Sequence, residues 1–134
     1  MINRRIASLF LLVLFAFVLT GCPRIAYVAA YNNTTTVLVI DSSGLVRDVK
    51  PGQVVRFGFT GNSLKITSEL GTWNYSRNIP HSGSDGPYFD GTLRIQIDPD
   101  GAIYALKTGE SPPLSGSFEQ PDGYPLHPRK SADR

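Results

Sequence analysis

The residues best equipped for chemistry fall in one stretch, RNIPHSGSDGPYFDG, residues 77–91, where His81, Asp85 and Asp90 stand beside Tyr88 and Phe89. An imidazole and two carboxylates form a ligand set for a divalent metal. A long aperiodic segment in an otherwise compact array is usually functional or unstructured. The spacing fits no metal motif, however. A calcium loop needs alternating acids closed by a glutamate, and this segment has none. The expectation is therefore no metal and no cofactor, with 77–91 serving either as a binding surface or as a solvated crossover pinned by Tyr88 and Phe89. Just upstream, Trp73 and Tyr75 stand two residues apart. On a strand they share a face, which is an aromatic platform for a glycan or protein if exposed and simply core if buried. Trp73, Tyr75, His81, Asp85, Tyr88, Phe89 and Asp90 make up the candidate binding set.

Catalytic constellations are absent from the sequence. A nucleophile needs a base and an orienting acid within reach. The chain has two histidines, His81 and His127, and neither lies in a recognisable catalytic motif. No GxSxG elbow, glycine-rich phosphate loop or HExxH pair occurs. Glu69, Glu110 and Glu119 stand singly. The expectation is a protein that is not an enzyme.

The elements that would position these residues are strands. Runs rich in β-branched and aromatic residues cover 24–31, 34–41, 45–49, 53–60, 63–68, 72–76, 92–98 and 102–107, with no sustained helical period. Turn chemistry separates them. Pro51-Gly52 suits the centre of a type II turn, because proline fixes φ and glycine supplies a positive φ. Gly61-Asn62 suits a two-residue hairpin, and Asp98-Pro99-Asp100-Gly101 joins 92–98 to 102–107 in a second hairpin. Leu93, Ile95 and Ile97 alternate with Arg94, Gln96 and Asp98, which predicts one buried face and one wet face. Val55, Phe57 and Phe59 form another inward row. The fold predicted is all-β, an antiparallel β-sandwich or barrel of seven to eight strands. The passage VRDVKPGQVVRF, 46–57, resembles the strand–turn–strand segment of small immunoglobulin-like and transthyretin-like periplasmic domains. Beyond Lys107 the sequence holds five prolines, three glycines and few apolar side chains. On composition, 111–134 is expected to be a disordered tail.

The remaining reactive group is Cys22, the only cysteine. It follows two arginines, Arg4 and Arg5, and an apolar run, Ile6 to Leu19, whose only polar member is Ser8. That run is too short to span the roughly 30 Å of bilayer hydrocarbon. A basic start, an apolar centre and a small-residue exit describe a secretory signal peptide. Leu19-Thr20-Gly21-Cys22 resembles the lipobox of bacterial lipoproteins. The resemblance implies cleavage before Cys22, acylation of that residue, and attachment to the membrane through two or three acyl chains. A single chain binds only marginally, whereas two signals anchor stably. Pro23 stands where an aspartate would favour inner-membrane retention, so the resemblance implies an outer-membrane lipoprotein facing the periplasm.

Cleavage after Gly21 divides the chain into a signal peptide, 1–21, a lipid-anchored domain, 22–110, and the tail, 111–134. The 113 residues after Gly21 suit one domain. Without Arg4 and Arg5 its charges balance at 11 basic and 11 acidic, leaving no electrostatic footprint for nucleic acid. With Cys22 acylated, no disulfide can form within the chain. The function these observations predict is a lipid-anchored binding or structural accessory subunit working by protein–protein contact in the envelope. The alternatives are a binding module for a glycan or metal, or an inhibitor of an envelope hydrolase.

Overall fold

A computed structural model of the chain describes residues 26–59, 63–75, 86–115 and 119–129, with Phe59 described in its backbone only. The signal segment and Cys22 lie outside these residues. Eight strands follow in order: β1 (Ala26–Asn32), β2 (Leu38–Ser42), β3 (Leu45–Val49), β4 (Val54–Phe59), β5 (Leu64–Ser68), β6 (Gly71–Tyr75), β7 (Thr92–Ile97) and β8 (Ile103–Ala105). They form two four-stranded sheets, β4-β1-β7-β8 (sheet A) and β3-β2-β5-β6 (sheet B). The fold is an all-β sandwich with no helix among the described residues.

Alternation decides what is buried. Val28 and Ala30 of β1, Phe57 of β4 and Leu93, Ile95 and Ile97 of β7 face Leu38 and Ile40 of β2 and Leu64 and Ile66 of β5. Each of these side chains is at most 4% exposed. A fully buried aliphatic or Phe side chain contributes about 1.5–3 kcal/mol, so this single layer supplies most of the driving force.

Five strand pairings are antiparallel, but β1 and β7 run parallel, with Tyr27 opposite Thr92 and Asn32 opposite Ile97. Immunoglobulin domains keep their first and second strands in one sheet. Here β1 and β2 lie in different sheets, so the immunoglobulin side of the sequence resemblance does not extend to strand order.

Turn chemistry explains the connections. Gln53 N–H donates to Lys50 O at 3.1 Å around Pro51-Gly52, with φ 72° at Gly52, the geometry of a type II turn. It passes the chain from sheet B to sheet A rather than closing a hairpin. Ser43 and Gly44, both at positive φ (52° and 92°), close the β2–β3 hairpin. The β7–β8 hairpin is the one expected. Gly101 N–H donates to Asp98 O at 2.9 Å, and Gly101 takes φ 83°. The hairpin expected through Gly61-Asn62 does not form, because β4 and β5 belong to different sheets. Both flanking runs bury alternate residues, and that pattern cannot tell a hairpin from a crossover.

The segment beyond β8 departs from the disordered tail expected of 111–134. Ile103 and Leu126 exchange both backbone hydrogen bonds at 2.9 Å. The Gln120 side-chain amide does the same with Ala105, accepting from its N–H at 2.8 Å and donating to its O at 2.9 Å. Arg129 N–H reaches Asn74 O at 2.7 Å. Residues 119–129 are thus a strap that covers the outer edge of β8 and crosses to β6. Unpaired edges invite foreign strands, and covering them is a common protection. Tyr124 and Leu126 pack on the core, which is the apolar burial that composition alone hides.

Candidate functional site

Of the loop residues predicted as a site, the structure describes Tyr88, Phe89 and Asp90. His81 and Asp85 lie outside the described residues. Phe89 points inward and is 4% exposed, so it is core. Its backbone closes a tight turn with Gly86 through hydrogen bonds of 2.8 and 3.3 Å. Tyr88 is half-buried and donates its hydroxyl to Glu119 O at 2.9 Å. The Lys107 ammonium stands 5.8 Å from the Tyr88 ring centroid and 3.6 Å from the Glu119 carboxylate. Thr108 N–H completes the junction at 2.7 Å from Pro87 O. Asp90 caps the start of β7, accepting from Thr92 N–H at 3.2 Å and from both terminal nitrogens of Arg94 at 3.1 and 3.3 Å. The Arg94 guanidinium first, and the Thr92 amide second, hold the Asp90 carboxyl below its ordinary value. Its pairing is exposed and caps a strand; Tyr88 is tied to the strap.

Trp73 and Tyr75 share a face, as their spacing requires, and that face is the core side of β6. Their cross-strand partners are Ile66 and Leu64, both buried. Tyr75 is 6% exposed and donates its hydroxyl to Gly101 O at 2.7 Å. Burial, then the charge of Asp100, pushes its phenol well above the usual range. Trp73 is half-buried. A Cβ on Gly101 would sit 3.0 Å from the Trp73 ring and 3.0 Å from Cγ of Pro128. Indole, glycine and proline therefore form a lock between β6, the β7–β8 turn and the strap, not an exposed aromatic platform.

Polar residues that sequence reading passed over organise the rest. Asn32 is fully buried and satisfied. Its Nδ2 donates to Thr36 O and Val49 O at 2.8 and 2.9 Å, and its Oδ1 accepts from Thr34 N and Oγ1 at 2.9 and 2.7 Å. Gln96 lies on the outer face of β7, expected to be wet, yet it is 1% exposed. Residues 111–115 cover it, and Leu114 N–H donates to its Oε1 at 2.7 Å. A lone Asn or Gln gives no sequence signal of this kind. The strap did give one: Tyr124 and Leu126 alternate, and residues before proline favour extended backbone.

The outer face of sheet A is open on its β4 side, where Tyr27, Val54 and Arg56 are exposed. Cross-strand register sets Arg56 and Arg94 on either side of Ala29, and Val54 and Gln96 on either side of Tyr31. Below them Tyr27 is 39% exposed, with the Arg56 guanidinium carbon 4.4 Å above its ring centroid. Above, a cleft of about 250 Å³ opens between the sheet and the segment Glu110-Ser111-Pro112. Ala29 and Ile95 line it from the sheet, Tyr31, Val54 and Leu106 add further apolar surface, and Arg94 and Glu110 bring opposite charges to it. Among the described residues no cluster of His, Cys, Asp or Glu could hold a metal ion. No protein-family model, no curated protein and no solved structure matches this chain.

Proposed function

We propose that the protein is a lipid-anchored binding or structural accessory protein of the bacterial envelope, outer membrane by the residue after the cysteine, acting through protein–protein contact on the outer face of sheet A. The observation that carries the contact is the cleft beside Tyr31 and Val54. At about 250 Å³ it is smaller than the roughly 300–1,000 Å³ of small-molecule pockets. It suits one or two anchoring side chains of a partner, the usual centre of an interface. Val54 at its edge is 57% exposed, a large apolar side chain turned to solvent. The address rests on Leu19-Thr20-Gly21-Cys22 and the apolar run before it.

Two measurements test the proposal in cells. A fatty-acid label should enter the wild-type chain and not the Cys22→Ala variant. A photo-crosslinking residue at Val54 should give one discrete adduct that depends on Cys22, while the same residue at exposed Thr72 of β6 gives none. Absence of label refutes the address. Equal adducts from both positions refute the contact face.

A further inference from the structure

We infer that the Tyr27–Arg56 pair seats the domain on the membrane, with the Arg56 guanidinium on a lipid phosphate and the Tyr27 ring among the headgroups. The inference rests on acylation at Cys22 and adds an orientation to it. β1 starts at Ala26, four residues after that cysteine. An extended chain covers at most about 3.3–3.6 Å per residue, so Ala26 lies within about 14 Å of the acylated residue. The interfacial layer is about 5–8 Å thick on each side of the hydrocarbon. The Ala26 end of sheet A is therefore held in or just above the headgroups.

The side chains at that end suit such a place. Tyr27 follows Ala26 directly, turns to the outer face, and is tied through its N–H to Gly91 O at 3.2 Å. A tyrosine ring with a polar tip is a preferred residue at membrane interfaces. Arg94, one position further along the face, is occupied by Asp90. Arg56 differs. Among the described residues it has no carboxylate partner, and it makes a long hydrogen bond of 3.4 Å to Thr92 Oγ1. Stacked on Tyr27 it is half-immobilised, with guanidinium donors left for a planar, bidentate grip on a phosphate. The cleft starts at Ala29 and Arg94, level with Arg56, and its open rim at Tyr31 and Val54 lies four residues beyond Tyr27 along β1, about 13 Å higher at 3.3 Å per residue. Seating below thus presents the contact face above.

The test uses the acylated full chain in vesicles of phosphatidylethanolamine with a minority of phosphatidylglycerol, the lipids brominated near the interface. Tyr27→Trp should be quenched strongly. Val37→Trp, in the exposed connection beyond the far end of β1, should show no more quenching than the wild-type Trp73 background. Adding Arg56→Ala to Tyr27→Trp should reduce the quenching, as the roughly fivefold weaker seating expected from loss of one interfacial cation predicts. Equal quenching at positions 27 and 37, or no effect of Arg56→Ala, overturns the proposal. So does a crosslinker at Tyr27 that captures a protein in cells while Tyr27→Trp stays unquenched in vesicles. Failure of the anchor itself reads differently: the chain takes up no fatty acid and does not float with the vesicles, which removes the ground of the proposal along with it.

Discussion

Replacing Asn32 should unfasten the end of the sandwich where β1 leaves for β2 and β3 leaves for β4. Its side chain holds Thr34, Thr36 and Val49 at once, while its backbone receives Gly52 N–H at 2.8 Å and donates to Gln53 O at 3.0 Å. Asn32→Ala removes two donors and one acceptor from a fully buried position. Without Asn32 the one hydroxyl proton of Thr34 is free to turn to Thr36 O, 3.0 Å away, so the main losses fall on Val49 O and Thr34 N–H. A buried polar group left without its partner costs about 1–3 kcal/mol. Two such groups give a loss of about 2–6 kcal/mol, a large fraction of the roughly 5–15 kcal/mol that stabilises a domain. Asn32→Asp sharpens the test. It keeps the acceptor but turns a carboxylate oxygen toward two carbonyls in a fully buried site. Burial raises that carboxyl's pKa in the folded state above its unfolded value of about 3.9. The protonated form, which can donate one hydrogen bond, is therefore tolerated at low pH. The penalty then grows as pH rises through the folded pKa. At pH 7 the Asp variant should be less stable than the Ala variant, and the difference should narrow toward pH 4. Urea melts followed by the single tryptophan, Trp73, provide the assay. A loss below about 1 kcal/mol for Asn32→Ala, or an Asp variant insensitive to pH, would refute the role given to this amide.

Truncation before Glu119 should cost about 3–5 kcal/mol, from two partly buried apolar side chains and the exposed edges of β8 and β6, read as a lower urea midpoint. An unchanged midpoint would return 119–129 to the status of a passive tail. Gly101→Ala should destabilise by more than about 1 kcal/mol, because the residue sits at φ 83° and its new methyl meets Trp73 and Pro128 at 3.0 Å. Tyr75→Phe should lose about 1 kcal/mol with its bond to Gly101 O, whereas Tyr124→Phe should be neutral or stabilising, since that buried hydroxyl has no hydrogen-bond partner among the described residues. Burial pushes both phenols up, so both favour the neutral form when folded. Their contribution is complete below pH about 10 and is lost as the pH rises beyond it, so melts at rising alkaline pH should fall less steeply in either Phe variant.

Which parts of this molecule were readable in advance follows from what each signal encodes. Leu93, Ile95 and Ile97 are buried because strict alternation admits one face only, and that rule is local. The turns at Pro51-Gly52 and Asp98–Gly101 have the expected geometry because proline and glycine restrict φ whatever surrounds them. Pairing is not local. Gly61-Asn62 is as suitable for a crossover as for a hairpin, and only burial by the opposing sheet decides between them. Trp73 and Tyr75 were correctly placed on one face, but the residues that cover them, Gly101 and Pro128, come from distant turns. The strap was missed for a related reason. Its prolines lower apolar content without preventing extended pairing at a sheet edge. Gln120, which completes β8 with a side chain in place of a backbone, has no counterpart in any local pattern.

The parallel contact between β1 and β7 also closes the longest loop in sheet A. On loop-closure entropy β1 is expected to pair with β4 first, since Phe57 lies nearer to Val28 along the chain than Leu93 does. Until β7 arrives, the other side of β1 is an open row of amides and carbonyls beside buried-type residues such as Val28 and Ala30. Closing so long a loop is slow relative to local pairing, and β-sandwiches fold in milliseconds to seconds. During that interval β1 is paired on one side only. A delay in β7 therefore leaves a sticky edge open to strands of other chains, and the pairing that completes sheet A is also the one that closes it to aggregation.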